Sequence, residues 1–234
     1  MKLPIAVSVP HAGLRIPPEA AADCQLTREQ ILKDSDEGAA EIYDLREEVA
    51  EFITTDVARA IVDLNRPPDD RRPDGVVKTH TIWNEPVYHA PLSEHVIDTL
   101  LDKYYHPYHA RLSSLAGGGL LFAVDCHTMV AEAPPIGPDP GTKRPEVCLG
   151  NARGRSFPEA WTALLDQAFQ EAFAGFRVTL NDPFVGGYIT QAHGKEMPWV
   201  QIEISRSAFL PRCEIRGRVL RALQNACREI NVCL

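Results

Sequence analysis

The sequence predicts an α/β protein with a central mixed, mainly parallel sheet and helices on both faces. Short apolar runs alternate with amphipathic helical segments, which is the pattern of strands joined by helical crossovers. The run LLFAV at 120–124 is apolar at every position, as in strands that are covered on both faces. A length of 234 residues suits one large domain, and we expect a single domain over residues 1–234.

The chain up to residue 64 is predicted to hold two strands and two helices. A strand is expected over residues 5–9, and Thr27 opens a short helix with Gln30 in the capping-box position. A longer helix is expected from about Glu37, and residues 60–64 read as a buried strand that the following prolines end. The longer helix is indicated by one apolar stripe, formed by Ile42, Leu45, Val49 and Phe52.

The chain from residue 93 onward continues the alternation of helices and strands. Ser93 is predicted to cap a long helix, and Ser156 is predicted to open another through a capping box with Pro158 in its first turn. A closing helix is expected from about Arg212. Strands are expected at 120–126, 147–150, 176–180 and 199–204.

Composition excludes several classes of partner. The formal net charge of −8 argues against a nucleic acid or an anionic membrane surface as the main partner. No apolar stretch approaches the roughly 20 residues that span a bilayer. The six cysteines form no CxxC pair and mostly lie in apolar surroundings, so reduced thiols and a cytoplasmic protein are expected. The oligomeric state is left open.

Reactive side chains stand at the ends of several predicted strands. In parallel sheets ligands bind at the carboxyl ends of the strands, so these side chains should meet at one edge. Strand 199–204 itself contains a carboxylate, which must be paired, exposed or catalytic because burying it alone costs several kcal/mol. The residues concerned are His11, Asn65, Arg66, Asp125, His127, Glu203 and Arg206.

Two histidines and one carboxylate are a common ligand set for catalytic zinc. His11 and His127 supply the imidazoles, and the carboxylate is one of Asp34, Asp36 and Glu37 in an acidic segment. Taken singly, each residue has a simpler explanation, such as a hydrogen-bonded histidine or a helix-terminal acid. Their convergence at one edge favours a metal site.

Two further histidines carry weaker signals. His109 lies on a predicted helix face near apolar residues, so packing is expected, with a supporting hydrogen bond as the alternative. His193 follows the turn GGYIT and is a candidate for approaching the same edge.

A set of motifs resembles the N-formylglutamate amidohydrolase family from residue 7 to about residue 210. They occur in the order VSVPHAG, DSDEGAAEIYDL, VDLNRPPDD, HPYHARL, DCHTM, CLGN, NDPFVGGYIT and VQIEISRS. This resemblance implies a fold similar to zinc carboxypeptidases, with His11 and His127 on zinc, Asn65 and Arg66 as a substrate pair, and Glu203 as the catalytic acid–base. The D-x-D core of the acidic segment points to Asp36 as the third ligand.

The resemblance implies a Zn²⁺-dependent amidohydrolase acting on a small acidic N-acyl amino acid, such as N-formyl-L-glutamate. Arg66 would stabilise the oxyanion or bind a substrate carboxylate, and Arg144 and Arg206 are further candidates for carboxylate binding. Asn65 would orient the substrate, while Gly187 and Tyr188 would form a wall or gate.

The chain also departs from the resemblance at two places. Leu14 replaces the glutamate of a carboxypeptidase-type HxxE pair, and Glu37-Gly38 stands where formylglutamate enzymes tend to have an aromatic residue and a histidine. Two alternatives therefore stay open. One is a carboxypeptidase-like or amidase activity on a peptide or cell-wall fragment, and the other is a non-catalytic protein that binds an acidic metabolite.

Overall fold

Six strands form one sheet at the centre of the protein, in the order β2-β1-β3-β6-β4-β5. The computed structural model describes residues 2–134 and 140–232. The strands are β1 (Leu3–Val9), β2 (Val49–Thr54), β3 (Phe122–Met129), β4 (Val147–Gly150), β5 (Val178–Leu180) and β6 (Trp199–Ser205).

The sheet is mixed and mainly parallel, as predicted. Strand β1 pairs in parallel with β2 and β3, and β3 pairs in parallel with β6. Strand β4 runs antiparallel to β6 and parallel to β5. The carboxyl ends of β1, β3 and β6 therefore share one edge of the sheet, and the amino end of β4 lies at that edge too.

Helices cover both faces of the sheet, also as predicted. One buried apolar cluster joins the sheet to α3, α6 and α8, and a second joins it to α4, α5 and α7. The helices are α1 (Pro18–Ala21), α2 (Arg28–Asp34), α3 (Ala39–Ile42), α4 (Glu94–Leu100), α5 (His106–Ser113), α6 (Glu159–Ala172), α7 (Tyr188–His193) and α8 (Arg212–Val232), with a π-helical segment (Leu101–Tyr105) joining α4 to α5.

Local sequence signals set several helix ends. Thr27 and Gln30 form the predicted capping box at the start of α2. The Ser93 side chain accepts a hydrogen bond from the Val96 backbone N–H, which satisfies one unpaired donor of the first turn of α4. Helix α8 begins at Arg212, as expected.

Three predicted elements are wrong. Residues 60–64 are buried but form turns, because the N–H groups of Ile61 and Val62 both bond to the carbonyl of Ala58. The helix expected from Glu37 ends at Ile42, and the rest of its apolar stripe lies in β2, where pairing with β1 overrides helical periodicity. The Ser156 capping box is absent, since α6 begins after Pro158 without a side-chain cap.

Within the described residues the cysteines are all unpaired, and Cys233 lies outside them. Cys126 is buried in the core, as predicted. In the part of the chain that the structure describes, no helix combines the length and apolar character needed to cross a bilayer.

Candidate metal centre

Three buried side chains bring metal-binding atoms together at the edge of the sheet. His11 lies two residues beyond β1, Asp36 follows α2, and His127 lies in β3. One ligand atom from each lies within 4.8 Å of the other two, and the two imidazole centroids are 4.8 Å apart. The two histidines predicted from the sequence therefore lie close enough to share one ion.

A carboxylate lies beside the Nε2 atom of each imidazole. His11 Nε2 lies 2.8 Å from Asp63 Oδ1, and His127 Nε2 lies 3.0 Å from Asp125 Oδ1. A carboxylate only accepts hydrogen bonds, so the proton of neutral His11 resides on Nε2 and its Nδ1 carries a lone pair. That Nδ1 atom is buried and has no hydrogen-bond partner among the described residues. The donor set thus fits a metal ion.

The third donor is held in place by both histidine segments. The Asp36 backbone N–H bonds to the His11 carbonyl at 3.1 Å, and Asp36 Oδ2 accepts from the Thr128 N–H at 3.2 Å. The same Oδ2 lies 2.9 Å from His127 Nδ1 and 3.6 Å from His11 Nδ1. Asp36 Oδ2 and His127 Nδ1 can each donate a lone pair, so they approach to 2.9 Å only where a proton or a metal ion lies between them.

Neighbouring charges and hydrogen bonds together outweigh burial in setting the pKa values of Asp36 and His127. Burial opposes ionisation of Asp36, but His11 and His127 hold its pKa well below the usual value. Burial likewise disfavours the charged form of His127, yet the carboxylates of Asp125 and Asp36 raise its pKa well above the usual value. The site therefore holds a carboxylate in its ionised form and attracts a positive charge.

Glu203 lies beside the three donors on the neighbouring strand. It is in register with His127 across the parallel β3–β6 pairing, so the two side chains lie on the same face of the sheet. Its Oε1 accepts a hydrogen bond from Gln201 Nε2 at 2.7 Å, while its Oε2 makes none within the described residues. Burial raises the pKa of Glu203 to about 7, with the Asp36 carboxylate adding to the rise.

A cavity of about 630 Å³ opens over these groups. Arg66 lines it while bonded to Asp74, and Arg144 lines it with its guanidinium 4.8 Å from the centre of the Phe184 ring. His11, Asp36, His127 and Glu203 lie on its wall. The rest of the wall includes Arg59, Asn65, His80, Ile82, Asn84, Met129, Val130, Pro183, Gly187, Gln201 and Arg206.

Arg206 and Asn65 lie at the cavity but also bond within the protein. The Arg206 guanidinium donates to the Ser35 carbonyl and to Thr128, and lies 3.5 Å from Asp36 Oδ1, so it holds the segment that carries Asp36. Asn65 Oδ1 accepts from the Ile189 N–H at 2.8 Å, and its Nδ2 lies 3.1 Å from His127 Nε2.

The two residues of the predicted wall differ in position. Gly187 lines the cavity, and a Cβ atom there would lie 2.2 Å from the Asn65 amide nitrogen, so only glycine permits this packing. Tyr188 is not among the described residues that line the cavity. Its ring packs 5.6 Å from that of His109 instead.

Comparison with known proteins identifies the family. Residues 3–210 match the family model described as N-formylglutamate amidohydrolase. The chain belongs to this family. The motifs quoted above all fall within the matched residues.

Two curated relatives support the assignment, and one solved structure shares the fold. The N-formylglutamate deformylase of Pseudomonas putida is 29% identical over 91% of this chain and 84% of its own. That of Pseudomonas aeruginosa is 30% identical over 89% of this chain and 83% of its own. The crystal structure of N-formylglutamate amidohydrolase from Ralstonia eutropha covers 100% of this chain and 96% of its own, with 18% identity and a TM-score of 0.83, and so has the same fold.

Behind the donors lies a buried charge network that the sequence did not predict. Lys78 Nζ lies 2.9 Å from Asp34 Oδ2 and 3.7 Å from Asp63 Oδ2, with all three side chains fully buried. Arg59 bonds to Asp63 at 3.1 Å and to Asp36 at 3.3 Å. Asp34, one of the alternative ligands, is thus paired with Lys78, and Glu37 is paired with Arg212. Asp36 is the acidic residue of that segment which faces both histidines.

Proposed function

We propose that this member of the family is a zinc-dependent amidohydrolase that cleaves the N-acyl amide of a small acidic amino-acid derivative, N-formyl-L-glutamate in the first place. The products would be formate and L-glutamate. The observation that carries this proposal is the buried His11–Asp36–His127 donor set with Glu203 beside it in one cavity. The deformylase names of the two Pseudomonas relatives supply the first substrate to test.

Zinc is the ion that the donor set favours, since two imidazoles and one carboxylate leave a tetrahedral ion one open position. Held by His11, Asp36 and His127, it would supply Lewis-acid polarisation of the amide carbonyl and of water. Asp63 accepts a hydrogen bond from His11 Nε2–H, which keeps the proton on Nε2 and leaves the lone pair of Nδ1 available for the metal ion. Arg59 and Arg206 hold Asp36 from its other oxygen.

Glu203 would accept the proton of the attacking water and return it to the leaving nitrogen. A carboxyl group whose pKa lies near the working pH suits both steps, and that of Glu203 is raised to about 7 by burial. Gln201 holds Oε1, and the Gly187 N–H donates to the carbonyl oxygen of the Gln201 side chain. This chain of bonds fixes the carboxylate, and Oε2 is the atom that we assign to proton transfer.

The substrate carboxylates would bind to Arg66 and Arg144. Both line the cavity, and a guanidinium can donate two parallel hydrogen bonds to a carboxylate. Arg206 lines it as well, but its bonds to Ser35 and Thr128 lead us to assign it to the support of Asp36. Asn65 would orient the substrate amide through the donor and acceptor positions of its side chain that are not used by Ile189 and His127.

The test is a hydrolysis assay together with metal analysis. The purified protein should contain or bind one zinc per chain, release formate from N-formyl-L-glutamate, lose activity on chelation and regain it with zinc. The Glu203→Gln variant should keep its zinc and lose about 10²- to 10⁴-fold in kcat, the usual size of an acid–base contribution.

Hydrolysis and binding assays on other substrates separate the alternatives. Hydrolysis of short peptides or cell-wall fragments in preference to every N-acyl amino acid would favour a carboxypeptidase-like or amidase activity. Tight binding of an acidic metabolite without turnover would favour a binding protein. Near-normal turnover by Glu203→Gln, or activity that survives complete metal removal, would refute the proposed chemistry.

A further inference from the structure

A second histidine pair lies behind the cavity, outside the metal centre. The His109 and His193 rings lie edge to edge with 17° between their planes and centroids 5.2 Å apart, and His109 Nδ1 lies 2.9 Å from His193 Nε2. The outer nitrogens also have partners. His109 Nε2 lies 2.9 Å from the Leu64 carbonyl, and His193 Nδ1 lies 2.8 Å from Glu196 Oε2.

Counting protons along this row gives an unusual result. The Leu64 carbonyl only accepts, so His109 Nε2 must carry a proton. Glu196, whose side chain is 36% exposed, is a carboxylate that accepts from Ser113 through its other oxygen, so His193 Nδ1 must carry a proton too. The contact between the two rings needs a third. Two neutral imidazoles hold only two protons in total.

We propose that His109 and His193 share three protons, and that this positively charged pair, balanced by Glu196, positions Asn65 beside His127. The charge resides on His193. Burial lowers the pKa of His109 to about 4, so His109 is the neutral ring, which accepts from His193 and donates to Leu64. The role in positioning rests on the proposed function, whereas the proton count does not.

The link to the active site runs through helix α7 and the residue before Asn65. His193 is the last residue of α7, and the Ile189 N–H near the start of that helix donates to Asn65 Oδ1. His109 on α5 bonds to Leu64, the direct neighbour of Asn65. The charged pair therefore fastens α7 to α5 and to the backbone that carries Asn65, whose Nδ2 contacts His127.

Other groups around the pair leave Glu196 as its close counter-charge. His106 lowers and Asp125 raises the proton affinity of His109 through space. Three tyrosine rings and one tryptophan pack on the two imidazoles without a hydrogen bond to them, namely Tyr105, Tyr108 and Tyr188 on His109, and Trp199 on His193. When the pH rises and the pair loses one proton, one of its three hydrogen bonds must break.

Nitrogen NMR of the zinc-loaded protein tests the proton count. In protein labelled with ¹⁵N-histidine, His193 should show two protonated nitrogens at neutral pH and His109 a proton on Nε2, with one shared transition as the pH rises. The Asn65 side-chain amide resonance should follow the same transition. A His193 with a single protonated nitrogen at neutral pH, or an Asn65 resonance that ignores the transition, would overturn the proposal.

Two variants connect the pair to turnover. Glu196→Gln keeps an oxygen that can accept from His193 Nδ1 but removes the charge, so the transition and the alkaline limb of kcat/KM should both move down by roughly one pH unit. His95→Asn, at an exposed histidine on α4 that does not contact the pair, should move neither. A spectral shift without a shift in the activity profile would refute positioning. If no N-acyl amino acid is hydrolysed at all, the proposed function fails, while the NMR result still decides the inference.

Discussion

Replacing Lys78 by methionine tests the buried charge network behind the metal centre. The Lys78 ammonium is fully buried, 2.9 Å from Asp34 and 3.7 Å from Asp63. Removing one partner of a buried ion pair costs about 3–5 kcal/mol, because a buried charge stays behind. In the variant, Asp34 would still accept the hydrogen bond from the Ile82 N–H at 2.8 Å, and Asp63 would still be paired with Arg59. We therefore expect the lower end, about 3 kcal/mol, which corresponds to roughly 6–12 °C in Tm for a chain of this size.

Equilibrium denaturation in urea measures the effect, and its pH dependence checks the cause. Burial opposes ionisation of Asp34, but Lys78 and Arg59 lower its pKa, so its contribution to stability is present above the unfolded value and lost as the pH falls through the folded one. Without Lys78, burial raises the pKa of Asp34 and the folded variant takes up a proton at milder acidity. The stability gap between variant and parent should be full at pH 7 and narrow towards about pH 5.

Controls separate this ion pair from a general loss of lysine. Lys103→Met removes an exposed ion pair to Glu19 and should leave stability almost unchanged. Adding Asp34→Asn to Lys78→Met should recover part of the loss, since the uncompensated charge disappears while the bond from Ile82 remains. A Lys78→Met variant that loses less than about 1 kcal/mol at pH 7, or a gap that widens on acidification, would refute the reasoning.

Three further variants test the site. Gly187→Ala places a Cβ 2.2 Å from the Asn65 amide nitrogen and should lower kcat/KM at least about tenfold. Gly217→Ala is the control, since a Cβ added at this position of α8 meets no neighbouring residue within 4 Å, and it should keep full activity. Asp63→Asn should weaken zinc binding about 10- to 100-fold in a chelator competition, while Asp56→Asn, on an exposed ion pair, should not. Arg144→Gln should raise KM for N-formylglutamate more than for N-formylglutamine if it binds the side-chain carboxylate. Equal KM values for parent and variant on both substrates would remove Arg144 from substrate binding.

Much of the fold follows from local sequence signals, and the errors have a common cause. The apolar run of β3 and the capping box at Thr27 act locally, so both were predictable. Residues 60–64 carry four apolar side chains around Asp63 and are also buried, but they form turns. Apolar content reports burial, and the choice between strand and turn depends on which backbone partners lie nearby.

The candidate site likewise has residues that local sequence signals predict and residues that depend on distant partners. His11, His127 and Glu203 could be predicted because strand ends of a parallel sheet converge. Asp63 was missed although it carried the signal that drew attention to Glu203, a carboxylate inside an apolar run that must find a partner. Lys78 gave no local signal, since its partner Asp34 lies 44 residues away and only the folded chain brings the two together.

The reversed direction of β4 places the two parts of the proposed site on different segments of the chain. The donors and Glu203 are carried by β1, β3, β6 and the segment after α2, whereas Arg144 belongs to the connection that enters β4. Changes of sequence or length in that connection would alter the cavity wall at Arg144 without shifting the register of the strands that hold the proposed hydrolytic centre. Under the proposed function, substrate selectivity could therefore change through this connection while the residues proposed for hydrolysis keep their positions.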